Sequence, residues 1–166
     1  MSTPLGPYEL CEWLRSAIEA DLIACGSEPI TNTYNGVGLI AWDDCCGQLV
    51  VTPERIYRSQ EFPNEDTTDE RCFAGSIAVT LLASLVRCVP SPDDRGNPPK
   101  PAALALAHKA ILDDAAIVWQ SMGAPIDPEW DRAALAQTFV GNQGGCIAIE
   151  SRVTIGVQSE DWCTGC

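Results

Sequence analysis

The stretch "GGCIAIESRVTIGVQ", residues 144–158, constrains the fold most, because Ile147, Ile149, Val153, Ile155 and Val157 fall on odd positions while Glu150, Arg152 and Thr154 fall on even ones. A period of two belongs to a strand with one apolar and one polar face, which requires a sheet covered on one side only. A second long segment, "CFAGSIAVTLLASLVRCV", repeats the pattern. Phe73, Ile77, Val79, Leu81 and Leu85 alternate there with Ser76, Thr80 and Ser84, and predict another strand.

Two amphipathic segments supply the cover. In residues 8–25, Leu10, Leu14, Ile18 and Leu22 form one helical stripe, with Pro7 before the first turn and Gly26 placed to stop it. In "ALALAHKAILDDAAIVWQSM", Leu104, His108, Ile111, Ala115, Val118 and Met122 follow helical spacing up to Gly123. Between the helices, "SEPITNTYNG" reads as loop, and "VGLIAW" with "QLVVTPERIYRS" as the arms of a hairpin. "FPNEDTTDER", 62–71, reads as an exposed acidic loop with little to order it. "PSPDDRGNPPKP", 90–101, is too rich in proline for regular structure. The order helix, hairpin, long strand, helix, strand predicts a single α+β domain over residues 1–166, an antiparallel sheet with helices packed on one face, and 158–166 as an extension.

Nine cysteines, at 11, 25, 45, 46, 72, 88, 146, 163 and 166, raise the question of metal or thiol chemistry. Cys163 and Cys166 form one CxxC, but Cys45 and Cys46 are adjacent and point to opposite sides of an extended chain, so the second knuckle of a zinc site is missing. The motif "DDCCGQ" reads instead as the connection of a hairpin, with Asp43, Asp44 and Gly47 as turn residues. With no leader segment recognisable in "MSTPLGPYEL", most of the cysteines are expected to be reduced and to pack as small apolar residues.

Other chemistry finds little support. The single histidine, His108, lies on the apolar stripe of its helix and reads as a core or rim residue. Asp113 and Asp114 are adjacent and read as solvated charge, and no glycine-rich stretch leads into a phosphate-binding helix. Neither an enzyme nor a cofactor is expected. The net charge of −13, with only ten Lys and Arg, argues against tight binding to nucleic acid, and no apolar run is long enough for a membrane helix.

Three stretches, "CCGQLVVTPERIYRSQEFP", "LVRCVPSPDDRGNPP" and "GNQGGCIAIESRVTIGV", together with the N-terminal helix, resemble the tail-terminator group of neck proteins from long-tailed phages of actinobacteria. The resemblance covers most of the chain except "QSEDWCTGC". It implies a structural virion protein in the tail or neck, assembled in the host cytoplasm, in which six copies form a ring. The ring would cap the tail tube protein and join it to the head–tail connector. DNA would pass through it without tight binding, as a negative lumen repels phosphates. A head-side neck stopper is the close alternative, and a cysteine-based metal-binding module the alternative of a different class. Exposed sheet edges and loops are where neighbours are expected, with Glu150, Arg152, Phe62, Asp66, Asp93 and Asp94 as candidate subunit or partner contacts.

Overall fold

The structure, a computed structural model, describes residues 6–38, 47–67, 75–123 and 131–158, without the side chains of 131–134, 142 and 158. Helix α1 (Pro7–Ala24) opens with proline in its first turn, where a missing N–H costs nothing, and buries Leu10, Leu14, Ile18 and Leu22 along the expected stripe, with Cys11 beside them. It ends where Ser27 donates its backbone N–H to the Leu22 carbonyl past Gly26, whose φ of 72° is in the left-handed region.

Five strands follow this helix: β1 (Asn32–Asn35), β2 (Gln48–Ser59), β3 (Ser76–Cys88) and, after helix α2 (Pro101–Gly123), β4 (Asp131–Gln143) and β5 (Cys146–Gln158). They form one sheet in the order β1-β2-β3-β5-β4. All neighbours are antiparallel except β1 and β2, which run parallel. The class is the α+β arrangement expected, with α1 over β1, β2 and β3 and α2 over β4 and β5.

The alternation of 144–158 is realised on β5. Ile149, Val153, Ile155 and Val157 are buried in the main core with Val79, Leu81 and Leu85 of β3, and Glu150, Arg152 and Thr154 lie on the other face, half-buried. Two elements depart from the sequence expectation. Residues 32–35, read as loop, form a strand, because the β-forming Thr33 and Tyr34 continue the bonds that Thr31 and Asn32 make to the Gly47 carbonyl. The arm "VGLIAW" and the turn 43–46 lie almost wholly outside the described residues, and Val37 and Gly38 are not strand. The segment "DRAALAQTFVGNQ", not expected to be regular, is β4. It joins β5 through Gly144 and Gly145, both with positive φ, so the final strand is one arm of a tight hairpin.

The second helix is covered unevenly. Its buried residues, Ile111, Asp114, Ala115, Val118, Ser121 and Met122, all lie in its second half, while the first ten residues overhang the core and Leu106 is 71% exposed. His108 falls in the first half and is exposed, not a core or rim residue, because none of the first ten residues of α2 is buried.

Candidate functional site

The sheet has one face that the helices leave open, and it is polar at its centre. Arg152 of β5 makes a two-pronged contact with Glu54 of β2 at 2.9 to 3.1 Å and reaches Glu150 at 3.4 Å. The pairing with Glu54, then with Glu150, holds the guanidinium pKa above its ordinary value. Thr80 and Thr154, opposite each other on β3 and β5, share a hydrogen bond of 3.0 Å. The expectation that Glu150 and Arg152 pair across a subunit boundary therefore meets a competing fact: Arg152 is already matched within its own chain. The backbone of β5 is also committed on both sides, to β3 and β4, so this strand is no edge.

Phe62, expected at a partner contact, is half-buried against its own sheet. A side-chain carbon added to Gly156 would lie 2.9 Å from the Phe62 ring, so the absent side chain of Gly156 is the seat of that ring. The described part of "FPNEDTTDER" is ordered locally, against the expectation of a loop with little to hold it. The Asp66 N–H donates to the Arg58 carbonyl at 2.8 Å, Tyr57 Oη donates to the Pro63 carbonyl at 2.9 Å, and Arg55 pairs with Glu65. Residues 68–71 lie outside the described set. Asp93 folds the proline-rich loop on itself: its carboxylate accepts from the backbone N–H of Arg95 and Asn97 and from the Asn97 amide, and the bonds from Asn97 hold its pKa below the ordinary carboxylate value. Asp94 is exposed beside it. The structure thus does not gather the six candidate residues into one surface.

The densest polar cluster is one the sequence concealed. Arg87 at the end of β3 donates through Nε to Asp114 Oδ2 at 2.8 Å and through Nη2 to Ser27 Oγ at 2.8 Å, and Ser27 Oγ donates to Asp114 Oδ1 at 2.5 Å. Asp114 is 5% exposed and Arg87 6%, which corrects the expectation that Asp114 is solvated charge. Asp113 does fit that expectation, paired with Lys109 at the surface. A buried cation needs a fixed counter-charge, and helix α2 supplies it where it crosses the end of β3. The cluster floors a cleft of about 250 Å³ between the end of α1 and α2, lined among others by Cys25, Ile111 and Ile117. With both charges and the hydroxyl already satisfied by one another, the cluster reads as a structural tie.

Among the described cysteines, Cys11 and Cys25 are free, and burial pushes the Cys11 thiol up to about 11, so it stays protonated and packs as an apolar residue. Cys88 and Cys146, opposite each other at the end of β3 and the start of β5, are both disulfide-bonded. These two are therefore exceptions to the expectation that most of the cysteines are reduced. Cys45, Cys46, Cys72, Cys163 and Cys166, and with them the zinc reading, lie outside the described residues. Among the described residues no three His, Cys, Asp or Glu side chains converge on a point where they could hold a metal, and no helix is long and apolar enough to cross a membrane. No family model and no curated protein matches the chain.

Proposed function

We propose that the protein is a structural virion component, a tail terminator that caps the tail tube as a ring of six copies and joins it to the head–tail connector. The observation that carries this reading is the open sheet face: helices cover one side of the five-stranded sheet, and the other carries a charged and hydroxyl ladder, Glu150–Arg152–Glu54 and Thr80–Thr154, in a chain of net charge −13. A polar face of this kind suits a boundary with water, such as a lumen, and an acidic lumen repels DNA phosphates so that the genome slides instead of sticking. The resemblance of its sequence to tail terminators supports the same reading. Mixing the purified protein with isolated tail tubes and imaging them by electron microscopy tests the reading. Annuli of six subunits on tube ends are expected. A protein that stays monomeric and leaves tube ends bare at any concentration overturns it, and rings that seat only on head connectors assign the stopper role instead.

A further inference from the structure

The two edges of the sheet differ, and each carries its own strip of exposed apolar side chains. One edge is β4, thirteen residues long, whose outer side pairs with nothing among the described residues. Residues 133–143 contain no charged side chain, in a chain where association would otherwise bring like charges together. Phe139, 47% exposed, sits opposite the core residue Ile149 and so lies on the helix-covered face. Gln137, two residues before, donates to the Ala115 carbonyl of α2, and Leu112 and Trp119, one turn to either side of Ala115, are 56% and 43% exposed. Leu112, Trp119 and Phe139 therefore form an apolar strip along the β4 edge.

The other edge is built from β1 and the second half of β2, and its exposed apolar side chains are Val37, 90% exposed, and Ile56, with Tyr34 turned to the opposite face beside Val50 and Gln48. Ile56 pairs with Val79 of the core, which puts it on the same face as Phe139. This edge is partly closed to a strand: β1 has only four residues, Pro53 has no N–H to give, the register shifts between Pro53 and Arg55, and the Arg58 carbonyl is taken by Asp66.

We infer that the β4 edge of one copy docks on the β1/β2 edge of the next, with Phe139 and Trp119 covering Ile56 and Val37 of the neighbour. The occupant is a second copy because the two strips are unlike and lie at opposite ends of one sheet. A two-fold contact would join like to like and leave one strip bare, whereas a head-to-tail contact covers both and generates a ring when the rotation between copies closes, a filament when it does not. Strand direction agrees: β4 is antiparallel to β1 and β2, so one sheet continues into the next without inversion. Since the receiving edge is partly closed, side chains carry more of this contact than a backbone ladder does. The number of copies in the ring rests on the tail-terminator reading; the edge assignment does not.

The test is Phe139→p-benzoylphenylalanine in the full chain, irradiated in the assembled state and mapped by mass spectrometry. Cross-links to residues 34–37 or 52–58 of another copy are expected. Phe139→Asp should weaken self-association about tenfold or more without lowering the thermal stability of the subunit, and Phe139→Leu should retain it. Cross-links to residues 133–143 of another copy would overturn the head-to-tail assignment in favour of a two-fold. Rings that form normally with Phe139→Asp would overturn the edge assignment while leaving the tail-terminator reading intact, and a wild type that never self-associates sinks both.

Discussion

The two faces of the sheet are made by the same strands and obey different rules. On the helix side, β3 and β5 present aliphatic side chains to α1 and α2, and Leu14, Leu81 and Ile155 are wholly inaccessible to water. On the open side, a small apolar cluster of Val86, Cys146 and Ala148 is buried at one end, and elsewhere order comes from a few specific contacts: a glycine that seats an aromatic ring, a pair of threonines, an arginine held between carboxylates. Covered faces derive their stability from area removed from water, whereas open faces keep polar groups that cost little to expose and contribute little when paired. The difference should appear as a graded series of stability losses.

The largest loss is expected for Asp114→Ala, at the rim of the covered side, because it leaves the Arg87 guanidinium buried without a counter-charge: about 3–5 kcal/mol in urea denaturation. Arg87→Met made together with Asp114→Leu should recover much of that loss, and a double variant as unstable as Asp114→Ala alone would show that shape, not charge, matters at this site. Next comes Leu14→Ala in the main core, about 2–5 kcal/mol by lost burial plus the cavity left behind. On the open face, Gly156→Val should cost about 1–3 kcal/mol by displacing the Phe62 ring, with less than half of that cost in a Phe62→Ala background. Equal costs in the two backgrounds would mean that Gly156 is needed for its backbone alone. The smallest effect belongs to Arg152→Ala, below about 1 kcal/mol, since its ion pairs are a third exposed. A loss there as large as that of Leu14→Ala would break the contrast between the faces.

The same contrast decides what could be read in advance. Leu10, Leu14, Ile18 and Leu22 on α1, and the odd positions of β3 and β5, were legible because a buried face imposes its period on the sequence. Strand β4 was not: an edge strand with a half-exposed face has no need of strict alternation, and its Ala and Gln residues carry no strand signal of their own. Nor was the Arg87–Asp114–Ser27 cluster, because Asp114 beside Asp113 looks like any solvated pair until the fold brings β3 beneath it. The partner of Arg152 was hidden in the same way. Glu150 and Arg152 could be seen on one face, but Glu54, 98 positions away in the chain, could not.

The polar tie at the end of β3 also bears on the order in which the chain assembles. The Arg87–Asp114, Ser27–Arg87 and Ser27–Asp114 contacts span 27, 60 and 87 positions, so the complete tie cannot form until α1, β3 and α2 have all closed around one another. Closing such long loops is entropically costly and tends to come late. We expect the tie to be absent from the folding transition state, so that in a chevron plot Asp114→Ala raises the unfolding rate and barely moves the folding rate. A slowed folding arm would instead place the tie in the nucleus. On the expected behaviour, Ser27, Arg87 and Asp114 act as a latch on the finished subunit, setting how long it stays folded more than how fast it gets there.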